Sequence, residues 1–123
     1  ILPGAHGTQR LPRALGAARA LDMMTSGEPI KAEQAVEVGL IDEVLKGEMP
    51  AAAIQFANRV VREGREIKRT NAGNAAVEGP VEEFFKTARA KIAKDYRGYP
   101  APLVIADCVE AAVTLPFLKP PLG

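Results

Sequence analysis

No tryptophan occurs in this 123-residue chain, and aromatic residues make up only 5% of it. A base-stacking platform for single-stranded nucleic acid therefore lacks its material. Charge offers no substitute, since 16 basic against 15 acidic residues leave a formal net charge of +1. Such a balance has no excess to attract a polyanion, and no nucleic-acid partner is expected. Cysteine appears once, as Cys108, which excludes an intramolecular disulfide and fits a reducing compartment. Histidine also appears once, as His6, and neither residue has the companions that hold a metal, so no metal site is expected. No apolar run approaches the length of a membrane span, no signal peptide is visible, and no partner role in a membrane is expected. Gly-x-Gly-x-x-Gly is absent, so the chain itself offers no nicotinamide site.

What is present is an ordinary globular composition, 47% apolar, with length enough for one domain and one modest core. The pattern is helical. A short turn at Thr8–Leu11 is expected, with a helix starting near Pro12, because proline is tolerated only at a helix start. Gly16 interrupts it before Ala17–Met24 resumes, Ala20, Leu21 and Met24 share a face, and Gly27 closes the helix. Ile30–Leu40 reads as a helix ended by Gly39, and Leu40–Leu45 as a short strand. Pro50 opens a helix whose apolar stripe is Ala53, Ile54, Ala57, Val60 and Val61. Gly64–Gly79 is the longest loop, and the basic run Arg62, Arg65, Lys68 and Arg69 could meet a phosphate but reads first as solvated surface. Pro80 opens a helix with Glu82 and Glu83 at its positive end and Val81, Phe84, Phe85, Ala88 and Ile92 on its buried face. Leu103–Leu115 is a last helix lined by Val104, Ile105, Cys108, Val109 and Ala112. Leu118–Gly123 is expected to be an extended tail, since Pro120 and Pro121 bar a helix.

The densest stretch is the first. Pro3-Gly4-Ala5-His6-Gly7 packs backbone-shaping residues into a tight turn, and such turns commonly build sites from exposed N–H groups. The chain begins on the apolar pair Ile1-Leu2 without a methionine, so part of any such site is expected to lie outside it. Pro3-Gly4-Ala5-x-Gly7-Thr8-Gln9-Arg10-Leu11-Pro12-Arg13 resembles the signature turn of the crotonase superfamily, the enoyl-CoA hydratase/isomerase enzymes. The likeness continues through Ala17, Arg19, Ala20 and Leu21, then Thr25-Ser26-Gly27-Glu28-Pro29-Ile30, Ala32-Glu33-Gln34-Ala35 and Gly39-Leu40-Ile41-Asp42-Glu43-Val44. These ordered blocks cover about the first third of the chain. Farther on, Phe84–Tyr96, Tyr99-Pro100-Ala101-Pro102 and Leu115-Pro116-Phe117 resemble the bifunctional hydratase/3-hydroxyacyl-CoA dehydrogenase proteins of fatty-acid β-oxidation. The sequence departs from the family at Lys31, where a capping serine is usual, so the capping box keeps only its Gln34 half.

The resemblance implies a mainly α chain: the helical C-terminal half of a crotonase (ClpP/crotonase-like) α/β fold, with at most one or two short strands. That fold stacks coiled β-β-α turns in its first half. Residues 1–63 are expected to form a second-half crotonase core segment, 64–79 a loop and 80–123 a C-terminal helical segment, together one incomplete domain.

Hydration of an enoyl thioester needs N–H donors aimed at the thioester oxygen and carboxylates that activate water. The resemblance places both oxyanion-hole amides and both catalytic glutamates upstream of the turn. It leaves Gly4, whose backbone amide would hold the catalytic water, and Pro3, which would shape the substrate-binding wall beside it. His6 stands where the family often has glycine, which argues against a catalytic role. Glu28, Glu33, Glu37, Asp42 and Glu43 read as surface carboxylates.

The expected function is that of a fragment of an enoyl-CoA hydratase/isomerase adding water to trans-2-enoyl-CoA. Two alternatives stand beside it: a non-catalytic helical module for oligomerisation or for covering the CoA site, and a crotonase-family isomerase, hydrolase or dehalogenase. Partners would be an acyl-CoA substrate, the rest of the crotonase domain and a second copy through self-association. No cofactor is expected in this chain, with NAD entering only if a dehydrogenase part follows Gly123. A bacterial cytoplasmic location is expected ahead of a peroxisomal or mitochondrial one.

Overall fold

The computed structural model describes residues 1–117, and the expected tail at 118–123 lies outside the described residues. Helices run over Gly7–Leu15 (α1), Ala17–Ser26 (α2), Ala32–Glu37 (α3), Met49–Arg62 (α4), Val81–Asp95 (α5) and Ala101–Thr114 (α6), with a 3₁₀ turn at Thr70–Ala72. Among the described residues there is no strand, so the mainly α reading holds. The strand expected at Leu40–Leu45 does not form. Leu40 and Ile41 both turn their N–H groups back onto the Ala35 carbonyl (2.8 and 3.2 Å), and no neighbouring strand offers a ladder.

The chain divides into two compact units, Ile30–Arg69 and the remainder. In the unit of α1, α2, α5 and α6, helix α6 packs against each of the other three. Its pattern explains the central place, since Pro102, Ile105, Ala106, Val109 and Ala112 are all buried. They meet Ala17 and Leu21 of α2 and Phe85 and Ile92 of α5, with Phe84, Ala88 and Met24 packed alongside. Complete burial of Phe85, Ile105 and Val109 contributes about 1.5–3 kcal/mol each. The expected α6 face is rotated slightly from the observed one: Val104 is 43% exposed, Cys108 is half-buried, and Ala106 takes the inward position.

Helix starts differ from expectation where proline is concerned. Helix α1 begins at Gly7, not near Pro12, and carries Pro12 in its interior. The hydrogen bond that proline forgoes is offset by burial, since Pro12 is among the largest fully buried side chains. Helix α6 likewise begins before Leu103, with Pro102 in its first turn, where a missing N–H loses nothing. The α1–α2 break falls at Gly16 (φ 85°), and Gly27 (φ 68°) closes α2 by donating to the Met23 carbonyl.

In the unit of Ile30–Arg69, α3 is shorter than the expected Ile30–Leu40, ending at Glu37 before Gly39 at φ 78°. Lys31 N–H donates to Gln34 Oε1 at 3.3 Å, the surviving half of the capping box. Helix α4 starts as Pro50 requires, but its inward side is not the apolar stripe. Ala52, Phe56 and Arg59 gather with Glu43, Leu45 and Lys46, and Val60 is half-buried, whereas Ile54 is 63% and Val61 80% exposed. Arg59 lies 5.5 Å from the Phe56 ring and bonds Glu43 at 2.5 Å, an aromatic and ionic contact that outweighs the aliphatic pattern here.

Candidate functional site

The Pro3–Gly7 turn is built by its own short contacts. Gly7 N–H donates to the Gly4 carbonyl at 2.8 Å, and Gln9 and Arg10 both donate to the His6 carbonyl at 2.9 Å, which launches α1. Ala5 (φ 49°) and His6 (φ 60°) adopt the left-handed conformation in succession. Non-glycine residues occupy that region at a cost of order 1–3 kcal/mol each, and such strain concentrates at functional sites. This pair of strained residues was not foreseen from the sequence. The only local signal was the resemblance, in which position 6 is often glycine, the residue that φ 60° suits without strain, and is a large basic residue in the bifunctional proteins.

Glycine is favoured at position 7 for a simple reason: a Cβ there would stand 3.1 Å from Pro3 Cβ, a tight contact. Position 4 is different. A Cβ at Gly4 meets nothing within 4 Å, and its φ is outside the left-handed region. The chain's own packing therefore does not demand glycine at position 4. Gly4 is exposed, and its N–H donates to no acceptor among the described residues, while Pro3 is half-buried beside it. The two residues expected at the site thus stand together on an open face with a free backbone donor.

The carboxylates do not gather into a catalytic pair. Glu43 is bonded to Arg59, and Asp42 to Lys68. The hydrogen bond and charge of Lys68 hold the Asp42 carboxyl below its ordinary value. Hydrogen bonds to Asp107 and Glu110, at 2.6 and 2.5 Å, raise Arg89 above the ordinary arginine range. In the basic run, Arg65 pairs with Glu63 at 2.6 Å and Lys68 with Asp42, so those two cations are already engaged. No group of three or more His, Cys, Asp or Glu residues suited to a metal occurs among the described residues.

A cavity of about 460 Å³ opens between α2 and α5, floored by Leu21, Phe84, Ala88 and Ile92. Its rim carries Asp22, Glu78 and Glu83 against Lys91 alone, a poor setting for phosphate groups. Neither Pro3 nor Gly4 lines it. Among the described residues, no helix is long and apolar enough to cross a membrane.

Arg13 is a second feature that the sequence did not reveal. Its guanidinium donates to the carbonyls of Gly73 (2.8 Å), Ala112 (3.1 Å) and Leu115 (3.1 Å).

Comparison with known proteins adds the context that the geometry alone leaves open. The family profile described as Enoyl-CoA hydratase/isomerase matches residues 1–96. The fatty acid oxidation complex subunit alpha of Shewanella loihica is 37% identical over 97% of this chain and 17% of its own length. The peroxisomal bifunctional enzyme of Danio rerio is 34% identical, and that of Homo sapiens 35%, each over 95% of this chain and 16% of its own length. The chain therefore spans about a sixth of the curated relatives it matches.

Proposed function

This chain belongs to the enoyl-CoA hydratase/isomerase family, and from that premise we propose that it forms one wall of an active site that adds water to trans-2-enoyl-CoA in fatty-acid β-oxidation. The observation that carries the reading is the Pro3–Gly7 turn, with its exposed, unpaired Gly4 N–H, its lack of any Cβ clash at Gly4 and its strained Ala5–His6 pair.

In this reading the Gly4 amide donates to the oxygen of the attacking water. Pro3, rigid in φ, fixes the wall beside it. The developing negative charge on the thioester oxygen and the proton transfers are handled by amides and carboxylates of the sequence preceding Ile1, as the family resemblance implies. The Glu43–Arg59 and Asp42–Lys68 pairs support that assignment, since each carboxylate is neutralised where it stands. A dehydrogenase part that uses NAD would follow this segment in a bifunctional protein like its named relatives.

Acyl-CoA is then the small-molecule partner, and the rest of the crotonase domain is the macromolecular one. The exposed apolar side of α4, with Ile54 and Val61, supports self-association of the segment when that remainder is absent. A clean monomer by light scattering counts against that association. We place the protein in a bacterial cytoplasm, a reading supported by its Shewanella relatives and its single cysteine.

Product analysis tests the reaction. The full-length protein is incubated with trans-2-enoyl-CoA, and the thioester is examined by mass spectrometry. Gain of one water supports hydration. An unchanged mass with a shifted double bond selects the isomerase, and free CoA selects a hydrolase.

A further inference from the structure

We propose that Arg13 is a positioning residue for the Gly4 amide: it fastens the far end of the helix that carries the turn. The proposal rests on the reading of Gly4 given above.

Helix α1 is an arm of nine residues, about 13 Å long. At its N-terminal end the turn is fused to it through the Gly7-to-Gly4 hydrogen bond and the close packing of Gly7 on Pro3. Ile1, Leu2, Gly4, Ala5 and His6 are exposed, so this chain gives the turn little other support. At the opposite end the arm is held tightly. Arg13 reaches the Gly73 carbonyl on one side and the Ala112 and Leu115 carbonyls on the other. Its guanidinium also lies 5.4 Å from the centroid of Phe117.

Each contact has a physical reason. Helix α6 has no basic residue in its own last turn, and its terminal carbonyls carry the negative end of the helix dipole. Arg13 supplies the missing cation from another helix. The loop approaches so closely that a Cβ at Gly73 would lie 3.1 Å from the Arg13 carbonyl oxygen, a tight contact that favours glycine there. Ala17 N–H donates to the Ala76 carbonyl at 2.8 Å and pins the same loop one residue past the α1–α2 break. Carbonyls from two directions suit the planar fork of arginine and not the single ammonium of lysine.

Displacement at Arg13 therefore moves the arm and, with it, the turn. Misplacement of a reacting group by about 1 Å can lower a rate by about a hundredfold.

The test is Arg13→Met in the full-length protein, with two readouts. In steady-state hydration of trans-2-enoyl-CoA, kcat falls about 10- to 100-fold while KM changes less than about twofold. In hydrogen exchange, the amides of Gly7, Gln9 and Arg10 exchange faster, while those of Ala88–Ile92 in α5 keep their wild-type rates. Unchanged exchange in the turn, or equal acceleration in α5, overturns the proposal, because the first denies the linkage and the second describes a general loss of stability. A kcat that stays at wild type in the folded variant also overturns it. If the wild type itself shows no hydration, the proposed function fails and the exchange comparison alone decides the role of Arg13. If Arg13→Met does not fold, Arg13→Lys is measured by the same criteria, with the same direction of change expected.

Discussion

Replacing Gly4 by alanine separates a glycine kept for chemistry from a glycine kept for folding. The added methyl meets no atom of the chain within 4 Å, and the backbone there does not use the left-handed region. Folding should therefore be unharmed. A glycine-to-alanine change at a compatible position stabilises by roughly 0.4–1 kcal/mol, because the unfolded chain loses freedom. Activity should move the other way. The methyl stands one bond from the α-carbon beside the N–H, where it crowds an oxygen bound to that amide. Loss of one neutral hydrogen bond is worth about 0.5–1.5 kcal/mol, and loss of a donor that acts in the transition state about 2.7–4 kcal/mol. Hydration by the full-length Gly4→Ala variant is accordingly expected to fall at least about tenfold, equivalent to about 1.4 kcal/mol. Far-UV circular dichroism during heating reads stability, and steady-state turnover of trans-2-enoyl-CoA reads activity. A folded variant with wild-type kcat removes Gly4 from the mechanism. A drop in stability of more than about 1 kcal/mol contradicts the open space around it.

Other predictions concern the frame and its charges. Phe85 is fully buried and sits edge-on to Phe84 at 4.9 Å, so Phe85→Ala should destabilise the unit of α1, α2, α5 and α6 by about 3–5 kcal/mol. Hydrogen exchange in α5 and α6 measures it, and a loss under about 1 kcal/mol contradicts the core described here. His6→Gly should leave hydration intact and keep or raise stability by up to about 1 kcal/mol, whereas His6→Val should lower stability by about 1–2 kcal/mol, because φ is 60° there. A tenfold loss of kcat in folded His6→Gly would instead bring His6 into the chemistry. The Asp42 carboxyl, lowered from 3.8 first by its hydrogen bond from Lys68, titrates below its unfolded value. Its contribution is complete above about pH 5 and is lost as pH falls through the lower folded pKa, so Asp42→Asn should lower stability at neutral pH by an amount that vanishes in acid, flattening that limb of the stability curve. A loss of stability that persists undiminished in strong acid contradicts the pairing.

The helices that announce themselves in the sequence do so through local chemistry. Helix α5 carries Pro80 before it, Glu82 and Glu83 in its first turn and Lys94 in its last, and α4 has Pro50 at its start. Those features act within one turn, so a local pattern suffices to read them. Pro12 misleads because α1 is launched upstream of it, where the Gln9 and Arg10 N–H groups bond the His6 carbonyl, and the ring is then buried within the helix. The Leu40–Leu45 pattern misleads because a strand exists only beside another strand. In α4 the periodicity marks the apolar side correctly but cannot say whether anything covers it. The candidate site follows the same division. Pro3 and Gly4 were legible through a contiguous motif, whereas the partners of Arg13 lie 60, 99 and 102 residues away and leave no local trace.

The central claim is that this chain carries one wall of a hydratase site whose carboxylates lie in preceding sequence. It is tested most directly by comparing trans-2-enoyl-CoA hydration by the full-length protein and by residues 1–123 alone, at equal concentrations of folded material. Turnover by the full-length protein with none above background for the 123-residue chain is the predicted result. Hydration by the 123-residue chain at a comparable rate, or none by the full-length protein, contradicts it.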